Sequence, residues 1–177
     1  MRYWSVMKGL LIIFALAVTA TLGFAETAGG IQWKAPAAWK AQGERPMRAA
    51  TYTVPKATGD AEDGECAVFY FGPGQGGGVD DNLKRWIGQF QQPEGKPQIK
   101  KQTIGGFSVT TVDLSGAYTG AGGPMAASRV AKPGYRLLGA IVEGPQGAVF
   151  FKFVGPSKTV AAQQPAFDGL LKSLKTQ

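Results

Sequence analysis

The chain has 177 residues, a net charge of +7 at neutral pH, one cysteine and no histidine. Without histidine, Ser-His-Asp triads, Cys-His pairs and most zinc sites are excluded. A single cysteine cannot close an internal disulfide, and the scattered basic residues do not indicate nucleic-acid binding.

The first 25 residues have the pattern of a secretory signal peptide. Arg2 and Lys8 make the start positive, residues 10–18 are apolar, and Gly23-Phe24-Ala25 is a small-residue cleavage site. A membrane anchor is the alternative, but the apolar run is marginal for the roughly 20 residues that a span needs. We therefore predict cleavage after residue 25 and a periplasmic or secreted chain without a membrane span. The mature chain, residues 26–177, is the size of one domain and loses the two signal charges, which lowers +7 to +5.

An aromatic segment follows the signal, with Trp33, Pro36 and Trp39 in a Trp-x-x-Pro-x-x-Trp pattern. Because proline cannot donate a ladder hydrogen bond, we expect an extended piece outside regular pairing. The two indoles are expected to pin this piece to a sheet edge; the alternative is that they stack on a sugar or peptide. Residues 47–55 then alternate apolar and polar, which predicts a strand ended by proline.

Residues 59–65 form an acidic stretch with the main cluster of carboxylates in the chain: Asp60, Glu62, Asp63 and Glu65. A calcium loop carries its glycine at the sixth position, whereas Gly64 is fifth here. We therefore interpret the stretch as a solvated turn and predict no metal site.

Residues 66–71, CAVFYF, are apolar at odd and even positions alike, so both faces of a strand here would be apolar. Such a strand is buried on both faces, so the sheet is expected to be covered on each side near its centre. Cys66 is then a buried small hydrophobe; an exposed reactive thiol or an intermolecular bridge is the alternative.

After residue 78 the pattern predicts an amphipathic helix that ends before Pro93. Its apolar residues repeat at i, i+3, i+4 and i+7 and form one stripe: Leu83, Trp86, Ile87 and Phe90. Two aspartates stand at the helix start, where negative charge is favoured. Each precedes a basic residue by four positions, which predicts the ion pairs Asp80–Lys84 and Asp81–Arg85.

Two hairpins and a second helix are predicted in the rest of the chain. The first hairpin joins residues 97–103 and 106–115, and the second joins 135–143 and 148–154. Between them we expect a loop over 116–123 and a short strand over 125–130. The closing helix is predicted with Pro165 in its first turn and a second apolar stripe: Phe167, Leu170, Leu171 and Leu174.

Two amphipathic helices with five or six largely hairpin-linked strands predict a single α+β domain with an antiparallel sheet. The order of elements, and the ending VGP followed by the stripe of the closing helix, resemble the Mog1/PsbP-like fold. That resemblance implies a central antiparallel β-sheet sandwiched by helices, in a fold family with mostly binding and assembly roles. The block GECAVFYFGPGQGGGVDDNLKRWIGQF also resembles exported bacterial proteins of unknown function. The resemblance supplies no catalytic motif, and a fold alone does not define a function.

Residues 72–78, GPGQGGG, satisfy the G-x-G-x-x-G pattern of a dinucleotide cradle. Other features argue against nucleotide binding. Pro73 removes one N–H, the two aspartates at the helix start would repel a phosphate, and no acidic residue follows at the required distance. We interpret the stretch as a flexible connector or as the rim of a non-nucleotide site built from Gly74, Gln75, Gly76, Gly77, Asn82 and Arg85.

These observations favour an exported, non-catalytic binding or assembly module of the bacterial cell envelope. Its partner would be a protein or another envelope component, and no cofactor, nucleotide or nucleic acid is predicted. The alternative is a small-ligand-binding protein or an enzyme with its site at residues 72–85. A third hypothesis is a purely structural envelope protein.

Overall fold

The computed structural model describes residues 25–120 and 130–177. Over these ranges the chain forms a single domain of eleven strands and two helices. The predicted signal peptide, apart from its last residue, and nearly all of the predicted 125–130 strand lie outside the described residues. The strands are β1 Ala25–Ala28, β2 Ile31–Lys34, β3 Lys40–Ala41, β4 Arg48–Val54, β5 Gly64–Tyr70, β6 Phe90–Gln91, β7 Gln98–Ile104, β8 Phe107–Tyr118, β9 Lys132–Gly144, β10 Gly147–Pro156 and β11 Lys175–Thr176; the helices are α1 Val79–Ile87 and α2 Ser157–Lys172.

Eight strands form the main antiparallel sheet, in the order β3-β4-β5-β10-β9-β8-β6, with β7 also paired to β8. Strands β1, β2 and β11 form a small second sheet. Both predicted hairpins are confirmed as β7–β8 and β9–β10. The strand total exceeds the five or six predicted, in part because β3, β6 and β11 have two residues each and are too short to produce a pattern.

Alternation along β10 builds a core on each face of the sheet. Phe151 and Phe153 face the cluster that includes residues of α2, whereas Phe150 faces the cluster that includes residues of α1. We call these two sides the α2 face and the α1 face. The prediction that the central strands are buried on both sides is confirmed, and Cys66 is fully buried. Full helical layers are not confirmed, because one helix of 9 residues and one of 16 are few against eight strands.

Tertiary pairing shortens the first predicted helix. Helix α1 ends at Ile87, and Phe90 starts a strand that pairs with the end of β8. The predicted loop over residues 116–123 is wrong for its first three residues, because β8 continues to Tyr118 through a register shift that begins at Gly116. Glycine suits this position because its φ of 153° is one that other residues rarely adopt.

Helix α2 starts eight residues before Pro165, so the prediction that this proline lies in the first turn is wrong. An interior proline removes one helical hydrogen bond, which leaves the carbonyl of Ala161 without its donor. Both Pro165 and Ala161 are exposed, and water can therefore reach that carbonyl. In the described ranges, neither helix has the length and apolarity needed to cross a membrane.

The start of α2 is capped by a residue far away in the sequence. Asp60 Oδ2 accepts hydrogen bonds from the backbone N–H and the hydroxyl of Thr159, at 2.9 and 2.6 Å. Pro156, which precedes the helix, makes no side-chain cap. The carboxylate therefore satisfies a donor in the first turn and places negative charge at the positive end of the helix.

Asp60→Ala is expected to reduce the free energy of unfolding by about 1 kcal/mol, the usual cost of losing a helix cap. Asp60→Asn retains an acceptor oxygen and should lose less. Urea unfolding of the two variants and wild type measures the difference. Equal stability of the alanine variant and wild type would contradict a capping role.

Candidate functional site

The glycine-rich loop, residues 72–78, connects β5 to α1 and is fastened to the helix. Gly72, Gly74, Gly76 and Gly77 all have positive φ. Asn82, only 1% exposed, donates from Nδ2 to the carbonyls of Gly76 and Gly78 at 2.8 and 2.9 Å. The loop is therefore held by a buried amide, which is more order than a flexible connector requires.

The predicted rim residues divide into two groups. Asn82 and Arg85 line a cleft beside the loop, and Arg85 donates to Asn82 Oδ1. This contact replaces the predicted pairing of Arg85 with Asp81, and no Asp80–Lys84 pair occurs among the ion pairs of the described residues either. The remaining rim residues do not line that cleft: Gly74, Gln75, Gly76 and Gly77. A binding role for these four stays a prediction.

Gly76 has a packing role. A Cβ at this position would lie 2.8 Å from the ring of Phe150 and 2.9 Å from that of Phe71. Real Cβ contacts are essentially never this close, so a side chain here would displace the aromatic wall of the cleft. Glycine is thus required by the approach of the loop to the sheet and by its φ of 91°.

The cleft lies on the α1 face, over β5 and β10, and has a volume of about 170 Å³. Phe69 and Phe71 stack with ring centroids 6.2 Å apart, and Phe71 lies 5.9 Å from Phe150. Among the described residues, the lining of the cleft combines four aromatic rings with two amides and two cations: Phe69, Phe71, Trp86, Phe150, Asn82, Gln89, Arg85 and Lys152. Such a cavity suits a ligand with an apolar body and an anionic group.

Lys152 is the unusual residue of this cleft. Its side chain lies on the central strand β10, and the residue is 7% exposed. Nζ donates to Gln89 Oε1 at 2.5 Å and to the Tyr118 hydroxyl at 3.1 Å. No ion pair among the described residues includes it. Burial lowers the pKa of Lys152 to about 8; nearby Glu65 opposes this shift, and the charges of Arg48 and Arg85 add to it.

Sequence reasoning missed Lys152, although a signal was present. The run VFFKFV in β10 is apolar on both faces of the strand except for this lysine. A lone cation in a strand buried on both sides has little access to water. That pattern could have marked it as a candidate site residue.

A larger groove of about 750 Å³ lies on the α2 face, between α2 and the β7–β8 hairpin. Lys100, Gln102, Asp168 and Lys172 present exposed polar side chains along it. At one end, Arg136 holds Asp113 through two hydrogen bonds of 2.8 and 2.6 Å. The groove therefore displays both signs of charge beside hydrogen-bonding amides.

The acidic stretch is more than a solvated turn, because each of its carboxylates has a protein partner. Asp60 caps α2, Asp63 accepts the backbone N–H of Lys56, and Glu65 pairs with Arg48 at 2.9 Å. Glu62 accepts hydrogen bonds from Lys132 and Tyr135, which lower its pKa. In residues 25–120 and 130–177, no three His, Cys, Asp or Glu side chains come together in a way that could hold a metal ion.

Trp33 and Trp39 are both buried, so they pack within the protein and are not free to stack on a sugar or peptide. Trp33 lies edge-on to Phe151 at 5.3 Å and donates to the Tyr52 hydroxyl. Trp39 donates to Gln163 on α2. They fix the N-terminal segment over the α2 face of the sheet, and directly after Trp39 the chain joins the edge of the main sheet as β3, which pairs with β4.

No protein-family model matches the chain, and no curated protein matches it. Solved structures do. LpqN, involved in cell envelope biogenesis of Mycobacterium tuberculosis, has a TM-score of 0.54 at 15% identity, over 90% of this chain and 88% of LpqN. Cyanobacterial PsbP from Synechocystis has a TM-score of 0.51 at 11% identity, over 92% of this chain and 99% of that one. A Pseudomonas aeruginosa protein of unknown function has a TM-score of 0.50 at 10% identity, over 85% and 94%. The chain thus has a PsbP-like fold, as the sequence resemblance implied.

Proposed function

We propose that this protein is an exported, non-catalytic binding or assembly module of the bacterial cell envelope. The N-terminal pattern of charge, apolar run and small residues supports export. The similarity to LpqN supports an envelope role, and the PsbP-like fold is compatible with binding. The partner is a protein or another component of the envelope.

The observation that carries this proposal is the groove between α2 and the β7–β8 hairpin. Its volume of about 750 Å³ is within the range of ligand-binding clefts. Exposed side chains of both charges line it, and such mixed polar surfaces give specificity through complementary charge. We therefore assign the contact surface for the partner to this groove, and expect the partner to present a polar segment to it.

Site-specific photo-crosslinking in the native cells tests this assignment. A photoreactive side chain is introduced at Gln102 in the groove and, as a control, at Lys158, an exposed residue of α2 that does not line the groove. We expect one discrete adduct from Gln102 and none from Lys158. The groove assignment is wrong if Gln102 yields no adduct or if both positions yield the same products.

Export has its own prediction. The exported product of the full-length gene should begin at Glu26, because cleavage is expected after the small-residue sequence that ends at Ala25. N-terminal sequencing or intact mass of the protein recovered from the periplasm or medium measures this. A product that retains Met1 and fractionates with membranes would support the anchor instead.

A second candidate function is a small-ligand site or an enzyme site at residues 72–85. One observation favours it: Asn82 and Arg85 line the aromatic cleft together with the buried Lys152. The cleft and the groove lie on opposite faces of the sheet, so each can be tested without disturbing the other.

A further inference from the structure

We propose that the cleft on the α1 face binds a small organic carboxylate whose apolar body is about the size of one aromatic ring. This inference deepens the second candidate function by naming its ligand class, and it is independent of the groove on the α2 face.

The size of the ligand follows from the volume of the cleft. At about 170 Å³, the cleft is close to the roughly 150 Å³ of an engineered apolar cavity that binds benzene. Four aromatic side chains supply the walls, and aromatic rings pack well against other rings in offset or edge-on arrangements. One ring, or an aliphatic body of similar volume, therefore fills the space.

The charge of the ligand follows from the cations of the cleft. Lys152 carries three N–H donors when protonated, and two of them are directed to the neutral oxygens of Gln89 and Tyr118. Arg85 contributes a second cation at the exposed side of the cleft. A buried cation without a carboxylate partner is costly, and a bound anion would remove that cost. A ligand that complements these two cations carries its anionic group on the end of its ring that points toward the buried Lys152.

Access and surrounding charges are consistent with such a ligand. Phe69 and Phe71 are half-buried, and Arg85 is exposed, so the cleft opens to solvent. In the part of the chain that the structure describes, the charged and titratable groups around Lys152 are Arg48 on β4, Glu65 on β5, Arg85 on α1 and Tyr118 on β8. Glu65 is paired with Arg48 and Arg45, which offsets its repulsion of an entering anion.

Calorimetric titration of the full-length chain with three probes tests the proposal. Benzoate, benzyl alcohol and benzylamine share one ring and differ in charge. We expect benzoate to bind at neutral pH at least about ten times more tightly than either of the others, a difference typical of one charge-assisted hydrogen bond. Because the anion favours protonated Lys152, we also expect its affinity to fall about tenfold when pH is raised from about 7 to about 9.5.

Two variants complete the test. Lys152→Met keeps the length and removes the charge, so it should lose the preference for benzoate over benzyl alcohol, while Lys158→Met should bind all three probes like wild type. The proposal is overturned if wild type does not prefer benzoate or if the Lys152→Met variant retains the preference. Since neither result depends on the α2 face, failure here leaves the crosslinking test of the groove unaffected.

Discussion

Lys152→Met is expected to stabilise the folded protein at neutral pH by up to about 3–4 kcal/mol. Burial lowers the pKa of this lysine from 10.5 to about 8. Each pKa unit corresponds to about 1.4 kcal/mol of difference between the two protonation states. Below pH 8 the folded protein therefore bears the full cost of a buried cation, and methionine of similar length removes it.

The pH dependence provides the sharper measurement. Between the folded pKa of about 8 and the ordinary value of 10.5, the unfolded chain holds a proton that the folded protein has released. The contribution of Lys152 to the free energy of unfolding thus rises with pH across this window. This rise should be absent from the Lys152→Met variant. Burial also raises the pKa of Cys66 and of Tyr52, which makes their contributions fall at alkaline pH. Both proteins share those contributions, so the difference between them isolates the lysine.

Urea unfolding of wild type, Lys152→Met and the exposed control Lys158→Met from about pH 6.5 to 9.5 measures this difference. We expect the advantage of Lys152→Met to shrink as pH rises, and the control to follow wild type throughout. A Lys152→Met variant that is less stable than wild type at every pH would show that the hydrogen bonds to Gln89 and Tyr118 outweigh the burial of charge.

Phe151→Ala is expected to cost about 3–5 kcal/mol, the usual range for removing a buried phenylalanine. Phe151 is fully buried on the central strand β10, where it packs edge-on against Trp33. Truncation removes the ring between the sheet and Trp33 of the N-terminal segment, and the cavity left behind adds to the lost burial. Loss of this ring should also remove the edge-on contact of Trp33 and reduce the order of its indole.

Urea unfolding and near-ultraviolet circular dichroism measure both effects. Phe151→Leu, which retains most of the apolar volume, should lose less than half as much stability. Ile99→Ala on the edge strand β7 is the surface control, since Ile99 is 49% exposed and such substitutions usually change stability by about 0.5 kcal/mol or less. An equal loss from Phe151→Ala and Ile99→Ala would contradict the assignment of Phe151 to the core.

Most of the fold could be predicted from local sequence patterns. The two long hairpins carry glycine turns between strands of strong β propensity, and the stripe of α1 needs no tertiary information. The short strands β3, β6 and β11 could not be predicted, because each has two residues and forms only through pairing with a neighbouring strand. Helix α2 likewise begins earlier than its stripe indicated, since Asp60 supplies its cap from another part of the chain.

The candidate site was only partly predictable. Asn82 and Arg85 were found because they follow a glycine loop, but the sequence did not show that Asn82 fastens this loop to the helix. The cleft needs Phe69 and Phe71 from β5, Phe150 and Lys152 from β10, and Trp86 from α1. These residues are separated by long stretches of sequence, and no spacing rule connects them.

The sequence by itself determined the hydrophobic periodicity of the strands and helices, the order of the hairpins and the absence of histidine chemistry. These are properties of residue type and of neighbours close in sequence. The tertiary structure alone decided that Lys152 is buried among aromatic rings and that a polar groove forms on the opposite face. The physical reason is that burial and electrostatic environment depend on contacts between distant strands, and the β5–β10 pairing brings Lys152 beside Ala67, in line with Phe69 and Phe71.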